Sequence, residues 1–207
     1  MSITPVSGWG NSLLQYIPEQ EGIEGVSFWP RVAARVIDLI ILYVTGFFSG
    51  VLFSVMLVIA SGGHVSPIVL VKLRHTGVMG FFFSILAAIA YHVIFTTVHG
   101  STLGKLLMSI VVVGEDGDRC RLKSAIVREL GYFVDALFFG IIGYTAMKDT
   151  HQQQRHGDEW AHTVVCKRVV IAPEKLGSAG TFVVAFVFAL AANSALIMTN
   201  LLLAISR

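Results

Sequence analysis

Three stretches of this chain contain no Asp, Glu, Lys or Arg: Leu39 to Ala60, Thr76 to Val98 and Leu176 to Ser206. About 20 predominantly apolar residues carry a helix across the hydrocarbon core of a bilayer, and each of these runs is at least that long. Within lipid a segment must satisfy its own backbone N–H and C=O groups, which leaves the helix as the form these runs take. The composition agrees: only 14% of residues are charged and 55% are hydrophobic, where a soluble domain carries about 25% charged residues. The reading is an integral membrane protein in contact with the lipid bilayer. A formal net charge of +2 is too small to imply a nucleic-acid partner.

The first run is preceded by Phe28 and Trp29 and by Arg31, Arg35 and Asp38, as expected where a helix enters through the interface. The last run predicts a third full span over Thr181 to Ile205. Its Ala185, Ala189 and Ala192 form a stripe of small residues suited to close helix contact, and its Asn193 and Asn200 are amides that seek partners on neighbouring helices. The first thirty residues hold Glu19, Glu21 and Glu24 but no Lys or Arg and no apolar core, a pattern unlike a cleavable signal peptide.

Ala125 to Met147 reads two ways. It contains Arg128, Glu129 and Asp135, and its uncharged part, Ala136 to Met147, is interrupted by Gly140 and Gly143. That part falls well short of the roughly 20 residues a crossing needs. A fourth span competes with a re-entrant or interfacial helical hairpin. Five basic residues lie on each side of the apolar part, Lys105, Arg119, Arg121, Lys123 and Arg128 before it and Lys148, Arg155, Lys167, Arg168 and Lys175 after it. A hairpin keeps both groups in the cytoplasm, as the positive-inside bias prefers. On that reading the N-terminus is cytoplasmic, and the Ser61 to His75 loop and Arg207 are outside. Ile110 to Val113, the turn cluster Gly114 to Asp118, Arg119 to Leu122 and Thr163 to Ile171 have the β-branched and turn chemistry of strands, and they predict a small cytoplasmic sheet. Cys120 and Cys166, in those polar segments, are expected to be reduced thiols.

Three blocks, in this order and spacing, resemble the RDD family of membrane proteins: Phe28-Trp29-Pro30-Arg31-Val32-Ala33-Ala34-Arg35-Val36-Ile37-Asp38; Gly100-Ser101-Thr102-Leu103-Gly104-Lys105 with Ile110 to Val113; and Gly157-Asp158 with Ala161 and Thr163 to Val165. The resemblance covers about Val26 to Val170. It divides the chain into a tail, residues 1–25, the RDD-like membrane domain, residues 26–170, and an extra C-terminal span, residues 171–207. The family is named for one arginine and two aspartates. Arg31 matches the arginine best, with Arg35 as the other candidate; Asp38 matches the first aspartate and Asp158 the second, and Asp135 falls at a commonly acidic position. The resemblance implies a membrane protein involved in transport, ion or proton exchange having been proposed for some members.

Arg31, Arg35 and Asp38 stand at i, i+4 and i+7 on one helical face, so Asp38 is placed to pair with Arg35. A carboxylate at membrane depth costs roughly 2.5 to 3.5 kcal/mol on insertion scales, so it is paired and a functional candidate. The block from Gly100 to Lys105 lacks the spacing of a phosphate loop. It reads as a turn in which Ser101 or Thr102 caps a short amphipathic helix, with Lys105 snorkelling or meeting an acid such as Asp158. His92 and His99 share a face of the second span, and His92 is a candidate proton relay. His151, His156 and His162 lie near Asp149, Asp158 and Glu159 without metal-ligand spacing, so no metal and no cofactor is expected. No nucleophile constellation suggests an enzyme.

The expectation is therefore an all-α membrane protein with three full transmembrane helices, a re-entrant or fourth helix pair and a small cytoplasmic β-hairpin or sheet, sited in a bacterial cytoplasmic (inner) membrane. Its charged network is Arg31, Arg35, Asp38, Lys105, Arg128, Asp135 and Asp158. The function expected is proton-coupled transport of ions or small solutes. The alternative is a non-catalytic accessory or assembly subunit of a larger membrane complex. Either way the small chain is expected to form a homo-oligomer or to join partner membrane subunits, with the alanine stripe as a contact.

Overall fold

A computed structural model of the chain describes residues 23–64, 66, 77–150 and 152–206. Most of the N-terminal tail, most of the loop from Ser61 to His75, His151 and Arg207 lie outside the described residues. The fold is mostly helical, with three helices among the described residues long and apolar enough to cross a membrane. These are α1 (Phe28–Ala60), α2 (Gly77–Val98) and, last in the chain, α7 (Ala179–Ser206). At about 1.5 Å per residue the 33 residues of α1 reach about 50 Å, some 20 Å beyond the hydrocarbon core. That excess carries Arg31 and Arg35, so the charged turns and the apolar span belong to one continuous helix.

Between the spans the polar region folds in order as α3 (Leu103–Leu107), β1 (Ile110–Gly114), α4 (Leu122–Asp135), a 3-10 turn (Leu137–Gly140), α5 (Ile141–Asp149), α6 (His156–Trp160) and β2 (Thr163–Lys167). Two further 3-10 turns, Arg168–Val170 and Pro173–Lys175, lead to α7. The strands pair antiparallel, with Ile110 opposite Lys167 and Gly114 opposite Thr163. They are shorter than the sequence suggests: Arg119 forms only an isolated bridge with Val113, and the second run leaves the sheet at Lys167 for a 3-10 turn. The backbone just ahead of the first family block joins this sheet, Val26 N–H donating to the Val165 carbonyl at 2.7 Å.

The pairing of β1 with β2 puts both ends of the intervening segment on one side of the spans. Its helices are short and are separated at Gly140, whose φ of 85° lies in the left-handed region where a side chain is penalised. The segment folds back on itself between the paired strands.

Two cores follow. One gathers Val26, Ala34, Val93, Ile110, Val112, Cys120, Ala125 and Val165 where both first spans meet the sheet and α4. The other packs Tyr91 and Phe95 of α2 against Ala185 and Ala189 of α7. The alanine stripe is thus spent inside the chain, which corrects its expected use as an outer contact: small residues there let the rings of α2 approach. Asn193 corrects a second expectation, since its amide donates to the Ala189 carbonyl of its own helix at 2.9 Å. The middle of α1 stands away from α2 and α7, and a cavity of about 800 Å³ lies between them, lined mainly by apolar residues with Asn193 and Asn200.

Both cysteines are buried, and burial raises their thiols, Cys166 to about 11, so they form a quiet background for labelling. Single exposed cysteines introduced as Lys123→Cys and Lys167→Cys are expected to react with a membrane-impermeant maleimide from the same side. Labelling of one in intact cells and of the other only after permeabilisation is incompatible with the paired strands.

Candidate functional site

The first charged centre is Asp38, which is 1% exposed. Its Oδ1 accepts from the Tyr91 hydroxyl at 2.9 Å and the Gly104 N–H at 2.8 Å, and its Oδ2 from the Thr102 hydroxyl at 2.6 Å. One carboxylate therefore joins α1, α2 and the start of α3. Thr102 is the N-cap of α3, its hydroxyl oxygen accepting the Lys105 N–H, and Asp38 adds negative charge where the first helical N–H groups are unsatisfied. The glycine after Leu103 is required by space: an added Cβ at Gly104 would run into the Ala34 carbonyl oxygen and stand 2.9 Å from Asp38 Cγ. The block from Gly100 to Lys105 is thus a carboxylate-capped docking turn. Asp38 does not pair with Arg35. Three donors from other elements surround it, and Arg35 turns to Glu129 of α4 at 2.6 Å with its guanidinium 4.0 Å from the centre of the Tyr132 ring.

The second centre is Asp158, with no exposed surface. The guanidinium of Arg31 donates to its Oδ2, and those of Arg128 and Arg155 stand 3.4 and 3.5 Å from its Oδ1. Burial pushes this carboxyl up, but Arg128, Arg155 and Arg31 outweigh burial and hold it well below the usual carboxylate range. Arg31 also donates to the Val26 and Gln153 carbonyls. The start of α1, α4, the approach to α6 and the sheet edge are locked together here. Asp135, at the end of α4, is buried beside them, accepting from the Gly157 N–H at 3.2 Å and lying 3.2 Å from His156 Nδ1.

The two centres flank a cavity of about 290 Å³, lined among others by Arg31, Arg35, Asp38, His92, Lys105, Arg128, Glu129, Asp135 and Arg155. His92 is 1% exposed; it stands 3.9 Å from Asp38 Oδ2, and among the described residues neither ring nitrogen has a hydrogen-bond partner. Lys105 does not meet Asp158. Among the described residues it forms no ion pair; it faces the cavity, where burial pushes its ammonium down to about 7, with Arg128 and Arg35 adding to the shift and Glu129 and Asp38 opposing it.

The network residues singled out in the sequence, Arg31, Arg35, Asp38, Lys105, Arg128, Asp135 and Asp158, thus gather with His92 in one region around the two centres. Glu129, Arg155, Tyr91 and Thr102 belong with them and were not singled out as network members. The signal for Glu129 was available, since Ala125, Arg128, Glu129, Tyr132 and Asp135 recur at helical spacing on one face of α4; nothing local marked Arg155. His99 sits apart, its Nδ1 3.1 Å from the Thr181 hydroxyl of α7. His162 faces Glu115 at the surface, and among the described residues no group of three or more His, Cys, Asp or Glu could hold a metal ion.

Three candidate spans with an arginine and carboxylate network gathered at one end define an integral membrane protein of polytopic type. The chain belongs to the RDD family, whose sequence model matches residues 26–162, a stretch that includes every residue of the network. No match was found among curated proteins or among solved structures.

Two substitutions test this geometry. Gly104→Ala is expected to destabilise the folded protein by about 1–3 kcal/mol, the usual cost of overpacking a close contact, read as a lower thermal midpoint in detergent. Asp158→Asn leaves three guanidinium groups without their anion and is expected to cost about 3–5 kcal/mol at pH 7. A carboxyl held low in the folded state contributes stability above its unfolded pKa near 4 and loses it as pH falls towards the folded value. The gap between wild type and Asp158→Asn should therefore narrow below about pH 4. A gap that is constant from pH 7 to pH 3 would contradict the ion-pair assignment.

Proposed function

We propose that this protein moves a small ion or solute across the membrane in exchange or symport with protons, and that the 290 Å³ cavity is its binding chamber. The observation that carries the reading is the pair of unspent groups in that chamber, His92 with two unpartnered ring nitrogens and Lys105, which makes no ion pair among the described residues. Intramembrane ionisable groups facing a cavity mark ion and proton pathways. Asp38 and Asp158 hold the chamber walls, while His92 and Lys105 exchange protons. The reading is a carrier and no enzyme.

In this reading α4, the turn at Gly140 and α5 form a re-entrant hairpin seated at the cytoplasmic interface, with exposed Leu130, Phe133, Leu137 and Ile141 against lipid. The sheet lies in the cytoplasm of a bacterial cell whose inner membrane holds the protein. The outward surface of α1, with Phe48, Leu52 and Ile59 exposed, is where a second copy or a partner subunit joins. The accessory-subunit reading keeps one observation in its favour: both oxygens of Asp38 are spent on holding helices together.

The test is purified protein reconstituted into vesicles loaded with a pH-sensitive dye. Imposed gradients of a panel of cations and anions are expected to drive proton flux with at least one of them, and His92→Phe, confirmed as folded and inserted, is expected to abolish it. Correctly inserted wild-type protein that moves no protons under any gradient would leave the accessory reading in its place.

A further inference from the structure

We infer that the chamber between Asp38 and Asp158 is a phosphate-group site. The inference names the ligand class of the same chamber and so rests on reading it as a binding site, though not on transport.

Charge comes first. Five cations face the chamber, Arg31, Arg35, Arg128, Arg155 and Lys105, against the carboxylates of Asp38, Glu129 and Asp135. Asp158 behind the wall makes four acids, so the cluster retains a surplus of one positive charge when Lys105 is protonated. A buried surplus of that kind is costly, and it is relieved either by loss of the Lys105 proton or by a bound anion.

Hydrogen bonding points the same way. Among the described residues Arg35 Nε, Arg128 Nη1 and Arg155 Nε are buried donors without acceptors, in residues that line the chamber, and a neutral His92 adds one more N–H. Buried polar groups are normally satisfied, and apart from Asp158 Oδ1, which has Arg128 and Arg155 3.4 and 3.5 Å away, the unmet arginine groups lack acceptors. A ligand made of acceptor oxygens supplies them; a metal cation or an ammonium supplies none. The donors arrive from three directions, α1, α2 and the α4–α6 side. That arrangement suits the oxygens of a tetrahedral phosphate better than the two coplanar oxygens of a carboxylate, and guanidinium groups match phosphate geometry well.

Size and outlet bear on the source. The chamber, at about 290 Å³, exceeds what one phosphate fills, and its remaining lining includes Phe28, Val36 and Leu39, the last two half-exposed on the lipid-facing side of α1. The phosphate is therefore either a free anion or the head of an anionic phospholipid entering from the bilayer.

Lys105 makes the site proton-dependent. The groups facing it are Arg35 and Asp38 from α1, His92 from α2, and Arg128 and Glu129 from α4. An anion added to that set favours the charged ammonium, so ligand and proton bind together. With the lysine's ordinary charge lost near pH 7, affinity should be full below that value and fall as pH rises through it.

The experiment uses the full chain in an uncharged detergent, with binding followed by calorimetry. Inorganic phosphate, dihexanoyl phosphatidylglycerol, dihexanoyl phosphatidylcholine and acetate are the probes. The phosphodiester keeps its charge across the range, so its pH profile reports the protein alone. Binding of phosphatidylglycerol, of inorganic phosphate or of both is expected, with affinity about tenfold lower at pH 8.5 than at pH 6. Lys105→Met should weaken it about tenfold at pH 6, whereas Lys105→Arg should keep it and flatten the pH profile. Should Lys105→Met fail to fold, the wild-type pH profile and the arginine variant still decide. Phosphatidylglycerol binding alone assigns a lipid headgroup, and inorganic phosphate binding alone assigns a soluble anion. No heat from either anionic phosphate, equal binding of acetate, or equal binding of zwitterionic phosphatidylcholine overturns the inference. Binding without proton flux in vesicles would remove the transport reading and keep the site; flux without binding would do the reverse.

Discussion

A carboxylate that enters a low-dielectric interior must have its lone pairs filled by donors, or the cost of desolvation exceeds anything the fold gains. Asp38 meets that requirement with donors from two other elements, Tyr91 of α2 and Thr102 and Gly104 at the start of α3. Lipid supplies no hydrophobic force between spans, so this polar knot is what fixes α1 against α2 near the rim. Farther along, where no such group exists, α1 stands off and a cavity of about 800 Å³ opens.

Asp158 extends the same logic into the polar region. Three arginines from α1, α4 and the approach to α6 converge on it, and each would be a buried charge without it. Arg31 ties the entry of the first span to the sheet as well, through the Val26 and Gln153 carbonyls. Arg31, Asp38 and Asp158 are thus the fasteners of two adjoining joints. What the joints enclose, a chamber faced by a lysine without an ion-pair partner and a histidine without a hydrogen-bond partner among the described residues, is where function is to be sought.

Much of this was legible in the residues. Uncharged length gave three spans, because a bilayer accepts little else. Helical spacing placed Arg31, Arg35 and Asp38 on one face, and Thr102 was recognisable as a cap. The pairing of those charges was not legible. Spacing on one helix makes Arg35 look like the partner of Asp38, but the distance across a turn competes with groups that the sequence places 64 and 94 positions away. The alanine stripe was visible too, while its partner, the Tyr91 and Phe95 face of α2, was a matter of which helix packed beside it.

The sequence by itself determined how many segments can cross and which faces carry charge, since both depend on local composition and on the period of the helix. Only the tertiary structure decided that Arg31 meets Asp158, 127 positions along the chain, that Glu129 takes Arg35, and that Lys105 is left facing a chamber. Electrostatic partners are chosen by distance and burial in three dimensions, because a charge removed from water binds to whichever opposite charge the packing brings within reach.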